Sequence, residues 1–281
     1  MKFNAMFQPI EIGPMKVKNR FVVPPMGNNF ANTDGTMSEQ SAAFYRERAK
    51  GGFGLITIEA TVVHKGAKGG PRKPCLYDDS TIESFRKVID GCHAEGAKVS
   101  IQLQNAGPEG NAKNAGAPIT AATSIPSVCG RDIPKQLTTE EVYELIKGYG
   151  EAARRAMEAG ADAVEIHMAH GYLVSTFLSP RTNKRVDEFG GCFENRMRFS
   201  RLIIEEVKKQ HRERLQFLQE STVQMRFRED LISTTVQRSQ HIWKAADWTD
   251  SMYPVPFISR MSLSDSIPDF LQQRLRRSNV R

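Results

Sequence analysis

Two histidines and a tyrosine stand close together near the middle of the chain, directly after an apolar run. His167, His170 and Tyr172 follow residues 162–166, and Glu165 lies inside that run. Two imidazoles three residues apart, with a nearby carboxylate, can chelate a divalent metal for hydrolysis. A histidine at the end of a strand can equally be a hydrogen-bonded structural residue. The strands and helices around His167, His170 and Tyr172 must therefore decide between a metal site, a structural role and other chemistry.

Strand and helix patterns alternate through the first 210 residues. Apolar, β-branched runs predict strands, and amphipathic stripes with N-cap residues and closing glycines predict helices. The predicted strands are residues 19–26, 54–63, 99–104 and 162–168, and the predicted helices are 38–52, 78–98, 137–161 and one beginning at 194. Four strand–helix units in series follow from these patterns.

Each predicted strand is too apolar to face water on either side, which indicates a parallel sheet covered by helices. A closed barrel and an open doubly wound sheet both fit this alternation. Polar residues at 26–28, 59–60, 102–104 and 167–172 follow successive strands, and barrels of this type build their active sites at those ends. This placement favours an α/β (β/α)8 TIM barrel, of which about the first four units are recognisable.

Length and hydropathy fit one globular domain of this kind. The chain has 281 residues, 40% of them hydrophobic and 25% charged, and one α/β barrel commonly fills about 250 residues. Neither a run of ~18 apolar residues nor a secretory signal pattern is visible. We expect a cytoplasmic protein with no membrane partner.

Charge and cysteine content argue against two other classes of function. The net charge of +7 is spread through helical patterns rather than clustered with aromatic residues, so we do not expect a nucleic-acid partner. The four cysteines, Cys75, Cys92, Cys129 and Cys192, are far apart and include no C-x-x-C motif. They indicate reduced thiols rather than a zinc site or disulfides. The sequence does not indicate an oligomeric state.

The segment 211–281 departs from the preceding pattern. It contains none of the 21 glycines, and ten of its eleven basic residues are arginine. A divergent helical appendage, disorder and a change of reading frame near Gln210 are three interpretations. We favour the frameshift, because codons for residues 246–255 shifted by two bases permit Gly-Leu-Asp-Gly-Leu-His-Val-Ser-Gly, a plausible barrel strand and turn. The predicted domains are therefore 1–210 and a tail 211–281.

A long motif carries a resemblance to a known family. The segment HMAHGYLVSTFLSPRTNKRVDEFGGCFENRMRF, residues 167–199, resembles the Old Yellow Enzyme family of FMN-dependent oxidoreductases. The opening MFQPIEIGPMKVKNRFVVPPM is similar to the family's start, in the style of its enoate and dienoyl-CoA reductase branch. The resemblance covers residues 6–210. Members of that branch often carry an iron–sulfur cluster, but this chain does not show the cysteines for one.

The resemblance implies positions for the cofactor. FMN would lie at the carboxyl ends of the strands, with Gln102 hydrogen bonded to its pyrimidine edge and Ala60 close to the ring. The residues expected to bind FMN are Pro25, Met26, Gly27, Ala60, Gln102 and His167.

The resemblance also implies a reaction, the reduction of the C=C bond of an α,β-unsaturated carbonyl compound with NAD(P)H. His167 and His170 would hold the carbonyl oxygen, where negative charge develops, and Tyr172 would donate the proton. The partner is then a small enone or enoyl compound, and no metal ligand is expected. A truncated, non-catalytic product and a metal-dependent hydrolase are the alternatives.

Two departures from the family pattern affect the expected site. Members usually have His-Ala-Gly-Arg after the third strand, whereas this chain has Asn105, Ala106, Gly107 and Pro108, so one cation is lost from the mouth. Many members place Thr or Cys where Gly27 stands. We therefore expect no side chain of residue 27 to adjust the flavin.

Overall fold

The computed structural model describes residues 4–127 and 132–210 and the backbone of a strand at 216–220. Its strands are β1 Ile10–Ile12, β2 Met15–Val17, β3 Val22–Val23, β4 Leu55–Val62, β5 Lys98–Gln104, β6 Thr120–Ala121, β7 Lys135–Gln136, β8 Ala163–His167 and β9 Gln216–Glu220. Its helices are α1 Glu39–Lys50, α2 Ile82–His93, α3 Ala112–Ala115, α4 Thr139–Glu158, α5 Leu173–Leu178 and α6 Phe193–Gln210.

The main sheet is parallel and follows the order of the chain, β3-β4-β5-β8-β9. A doubly wound sheet reverses its strand order at a switch point, whereas a barrel adds each strand beside the previous one. The observed order therefore favours the barrel. The predicted strand at residues 19–26 shortens to the two residues of β3 because Pro24 and Pro25 have no amide hydrogen for the ladder.

Helices α1, α2, α4 and α6 form where the apolar stripes predict them. Ser38 caps α1, and Thr138 with Glu141 forms a complete capping box on α4. On α2 the predicted stripe is buried at Phe85, Val88, Ile89 and Cys92. Each such burial contributes roughly 1.5–3 kcal/mol, so these faces hold the helices on the sheet.

A hairpin that the sequence analysis did not predict closes the amino end of the sheet. Strands β1 and β2 pair antiparallel around a turn that includes Gly13 at φ 53°. Their buried side chains form an apolar cluster with Leu55 and Ala163, the first residues of β4 and β8. The hairpin thus keeps water from the end of the sheet opposite the predicted site.

Strand β9 lies within the segment that the sequence analysis separated from the barrel at residue 211. Its backbone pairs parallel with β8, from Ala163 opposite Gln216 to His167 opposite Glu220. The remainder of that segment, including residues 246–255 of the frameshift hypothesis, lies outside the described residues. In the part of the chain that is described, no helix combines the length and apolarity of a membrane span.

A charged cluster joins α2 to the amino ends of β5 and β8. Asp162 accepts hydrogen bonds from His93 Nε2 at 2.7 Å, from Lys98 Nζ at 2.7 Å and from the Val99 amide at 2.8 Å. Burial opposes ionisation of Asp162, but these three donors hold its pKa below the ordinary value. The carboxylate therefore stabilises the register in which β5 and β8 present their carboxyl ends together.

We predict that Asp162→Asn lowers the free energy of unfolding by about 2 kcal/mol at neutral pH, because the largely buried carboxylate loses its charge and one of the two oxygens that accept from three donors. A depressed carboxylate pKa adds stability above the unfolded-state value, and that stability is lost as the pH falls through the folded-state value. The difference from wild type should therefore fade as the pH falls below 3.8. Urea denaturation across pH measures both effects, with Asp90→Asn on the exposed face of α2 as the control. An equal loss in the control would contradict the prediction.

Candidate active site at the carboxyl ends of the strands

The carboxyl end of β8 brings the two histidines and the tyrosine into contact. His170 Nδ1 lies 3.4 Å from His167 Nε2, and the rings of His167 and Tyr172 meet edge to face with centroids 4.7 Å apart. His170 and Gly171 are left-handed, at φ 59° and 81°, which is an uncommon conformation for a residue with a side chain. This sharp turn returns the chain over β8 and places Tyr172 at the N-cap of α5.

His167 is buried and electrically neutral. The residue is 5% exposed, and burial, with a smaller contribution from His170, lowers its pKa to about 4. Its Nδ1 accepts the amide of Ala169 at 3.3 Å, so the proton of the neutral ring is on Nε2, facing His170. Near pH 7 His167 is therefore an uncharged N–H donor in a fixed direction.

The loop after β5 fixes the start of α5. Leu173 donates its amide to the Asn105 carbonyl at 3.1 Å, and the Asn105 side chain accepts the amide of Gly107 at 2.9 Å. Gly107 is left-handed at φ 56°, and a Cβ there would lie 2.7 Å from the Leu173 backbone. Only glycine allows this approach, which positions Tyr172 through its neighbour Leu173.

Gln102 lies on β5, directly opposite Glu165 of β8. It is 2% exposed, and its Nε2 donates to Glu165 Oε1 at 2.5 Å. The sequence analysis assigned this amide to the flavin. In the structure the Gln102 amide is buried and hydrogen bonded to Glu165, a partner that the sequence analysis did not predict.

Gly27, at the carboxyl end of β3, lies beside the end of β4. A Cβ on Gly27 would be 2.8 Å from Lys73 Nζ and 3.6 Å from Glu59 Oε2. Glu59 precedes Ala60, which is partly exposed, and its carboxylate accepts the amide of Asn28 at 3.3 Å. Gly27 and Ala60 thus follow or end neighbouring strands, with the Lys73 ammonium beside Gly27.

Pro25 and Met26 follow β3 but differ in environment. Pro25 is partly buried, whereas Met26 is 65% exposed and lines a hollow of about 440 Å³ with Phe44 and Arg48 of α1. The Met26 side chain therefore borders the hollow beside α1. Its backbone remains next to Gly27 at the strand end.

Arg185 braces the loops around the site. Its guanidinium hydrogen bonds to Asp187, with Nε 3.0 Å from Oδ1, and to the carbonyls of Ala122 and Leu137. The residue is 4% exposed and lies over the ring of Phe177. It therefore holds the segment after α5 against β6 and the start of α4. Among the described residues, no three His, Cys, Asp or Glu side chains gather as a metal site.

The sequence analysis did not identify Lys73 and Asn105 as site residues, and it considered Glu165 only as a carboxylate beside a possible metal site. Lys73 and Asn105 lie in loops, where hydrophobic periodicity gives no information. Glu165 lies in an apolar strand, and its pairing with Gln102 depends on the register between β5 and β8, which the sequence does not show. The glycine at 27 and the asparagine at 105 were visible departures from a family pattern. Those departures were the available signal that other residues contribute at both places.

We predict that Gly107→Ala costs about 3 kcal/mol of folding stability, because it adds a left-handed strain of about 1 kcal/mol to a clash with the Leu173 backbone. The matched control is Gly116→Ala. Gly116 is also left-handed, at φ 67°, but has open space around its Cβ position, so the control should cost only about 1 kcal/mol. Thermal unfolding of both variants measures the difference, and equal losses would refute the steric explanation.

We also predict that His167→Asn makes the fold less sensitive to acid. Because the folded pKa of His167 is about 4 against an ordinary 6.5, the unfolded chain takes up a proton first as the pH falls below 6.5. The contribution of His167 to the free energy of unfolding is therefore fully present above pH 6.5 and falls by about 3 kcal/mol toward pH 4. Asparagine keeps an acceptor for the Ala169 amide and does not titrate. Chemical denaturation between pH 7 and pH 4 should show that the free energy of unfolding declines less steeply in the variant than in wild type. An equal slope in the two proteins would contradict the low pKa of His167.

Comparison with known proteins agrees with this fold. Residues 5–253 match the NADH:flavin oxidoreductase / NADH oxidase family. The NADH oxidase of Thermoanaerobacter brockii is 38% identical over 74% of this chain and 32% of its own length, and the cinnamate reductase of Clostridium sporogenes has the same three values. The Old Yellow Enzyme homologue of Zymomonas mobilis superposes with a TM-score of 0.69 at 31% identity, over 73% of this chain and 60% of the other.

These likenesses confirm the family resemblance and the barrel fold. The chain spans about a third of the length of the two relatives and 60% of the Zymomonas protein. The family uses FMN and NAD(P)H. From the match over residues 5–253, the chain belongs to the NADH:flavin oxidoreductase / NADH oxidase family.

Proposed function

We propose that this chain, or the protein whose barrel it contributes to, reduces the C=C bond of an α,β-unsaturated carbonyl compound with NAD(P)H and FMN. Support comes from the contact between two imidazoles and a phenol at the carboxyl end of β8. Support also comes from cinnamate reductase and from morphinone reductase, whose structure superposes with a TM-score of 0.70 at 26% identity.

The described residues fit the ring of FMN. Gly27 leaves room at the end of β3, because no side chain projects there, and a lysine ammonium borders that room. Gln102 is a buried amide of the kind that pairs with the polar edge of a flavin. When bound, FMN supplies the redox chemistry between NAD(P)H and the substrate.

The observation that carries the proposal is the convergence of His167 Nε2 and His170 Nδ1 at 3.4 Å. His167 already directs its proton toward this point. His170 is exposed, so its ring can hold a proton on Nδ1 when an oxygen replaces His167 as its partner. A carbonyl oxygen at this point would receive two hydrogen bonds, which stabilise the negative charge that builds there as the double bond is reduced.

The neutral imidazole of His167 suits this task at physiological pH. Because burial keeps His167 uncharged, its ring brings no uncompensated charge into the buried site. The donor is present in the same form across the neutral range. Binding of the carbonyl therefore does not wait for a protonation step on this residue.

Tyr172 is positioned to give the proton. Its ring contacts His167, and its backbone is the N-cap of α5, which the Asn105 carbonyl anchors through Leu173. A phenol hydroxyl is a general acid and can donate its proton to the α-carbon as charge leaves the carbonyl oxygen. We assign Tyr172 as the proton donor.

The test is FMN binding and enone reduction by the purified full chain. We expect a yellow protein whose flavin absorbance falls with NADH and returns when an enone is added. In Tyr172→Phe we expect reoxidation by the enone to slow about 100-fold or more, the usual effect of losing a general acid, while reduction by NADH stays unchanged. The measurement is stopped-flow absorbance of the two half-reactions.

Tyr143→Phe is the matched control, since the Tyr143 hydroxyl is exposed and bonds to Glu188 on the helical side of the fold. Its reoxidation rate should equal that of wild type. A colourless wild-type protein would reject the proposed activity and favour the non-catalytic product. Equal rates in Tyr172→Phe and wild type would reject Tyr172 as the donor.

A further inference from the structure

A charge from another part of the chain lies beside the space left open by Gly27. Lys73 belongs to the loop after β4, and its ammonium lies 2.8 Å from the position that a Cβ of residue 27 would take. A β-carbon essentially never approaches another atom that closely, so a side chain at residue 27 would displace the ammonium from its present position. The position of the lysine therefore depends on the glycine.

Glu59 holds the ammonium in place. Its Oε2 lies 3.2 Å from Lys73 Nζ, and the Glu59 side chain is 1% exposed, against 23% for Lys73. Burial raises the pKa of Glu59, and the neighbouring Lys73 opposes that rise. A buried carboxylate needs such a partner to stay charged, so the pair is a fixed element of the strand ends rather than a loose surface contact.

The surroundings of Glu59 restrict where its carboxylate can point. Oε1 accepts the Asn28 amide at 3.3 Å, and the Glu59 amide donates to the Tyr45 hydroxyl at 2.9 Å. The Asn28 side chain donates to the same hydroxyl at 3.4 Å. Both the backbone and the carboxylate of Glu59 are therefore tied, and the lysine that pairs with it is directed toward Gly27.

We propose that Lys73 is a cofactor-tuning residue, whose ammonium takes the place of a residue-27 side chain and presents positive charge to bound FMN. This rests on the proposed function. A reduced flavin ring carries more negative charge than the oxidised ring, so a nearby cation binds the reduced form more tightly and raises the reduction potential. Seen from the Gly27 Cβ position, the ammonium at 2.8 Å is nearer than the Glu59 oxygen at 3.6 Å, so the pair presents its cationic end.

A purely structural role for the ion pair makes a different prediction. If Lys73 only neutralised a buried carboxylate, its loss would reduce stability and weaken both redox forms of FMN equally. The reduction potential depends on the ratio of the two affinities and would not move. The potential therefore separates tuning of the cofactor from support of the fold.

The experiment measures the two-electron midpoint potential of FMN bound to the full chain, by absorbance during reductive titration with a reference dye. Lys73→Gln removes the charge but keeps a hydrogen-bond donor for Glu59. We expect the variant to lose about tenfold in preference for reduced FMN, a shift of about 30 mV to lower potential for a two-electron couple. Lys73→Arg restores the charge and should stay within about threefold of wild type, or about 15 mV.

Lys65→Gln is the matched control, because it removes the same charge from an exposed position in the same loop. Its potential should equal that of wild type. If Lys73→Gln folds poorly, comparison of Lys73→Arg with Lys73→Met keeps the test, since only the methionine variant lacks charge. Equal potentials in wild type and the neutral variants, or equal shifts in Lys73→Arg and Lys73→Gln, would overturn the proposal while leaving FMN binding intact. A wild-type chain that binds no FMN would overturn it together with the proposed function.

Discussion

The parallel register of β3, β4, β5 and β8 is the constraint on which the rest of the structure depends. Because these strands run in one direction, the side chains that follow them meet at one edge, although they come from positions as distant as Gly27 and Tyr172. Asp162 and the β1–β2 hairpin fix the opposite edge. A slip of one residue between β5 and β8 would separate Gln102 from Glu165 and move Gln102 to the other face.

Polar groups at this edge are kept only where a neighbour compensates for burial. His167 stays neutral, Gln102 shares its amide with Glu165, and Glu59 is paired with Lys73. Each solution removes the free-energy cost of an isolated buried charge or unsatisfied amide. The strand ends therefore present fixed hydrogen-bond donors and one directed cation to any ligand that carries an oxygen atom. Such preorganisation favours charge that develops during a reaction, because the protein dipoles need not reorient.

The sequence predicts the regular part of the fold well and its exceptions poorly. The stripe from Phe85 to Cys92 and the capping box at Thr138 have local causes, so α2 and α4 lie where expected. Strands β1 and β2 have three residues each, too few for an alternation to be recognised. They are stabilised by packing against β4 and β8, which only the assembled sheet provides.

The same difference between local and distant causes applies to the site. His167, His170 and Tyr172 share one turn, so their spacing in the sequence already indicates their proximity. Lys73 reaches Gly27 only because β3 and β4 pair and Glu59 is buried between them, and neither residue shows this in its own segment. Positions where a sequence departs from its family's pattern are then the places to look for such distant partners.

The two halves of the candidate site also differ in what they need in order to form. The histidine pair and Tyr172 depend on β8, its left-handed turn at His170 and the anchor from the Asn105 loop. The half that we propose binds the flavin ring draws Gly27, Gln102 and Lys73 from three different strand–loop units. A cofactor held by several strands loses affinity when any one of them shifts, whereas the turn proposed to bind the carbonyl is preserved as long as β5 and β8 remain paired. Retention of FMN is therefore the more demanding property of this fold, and the geometry around Tyr172 the more robust one.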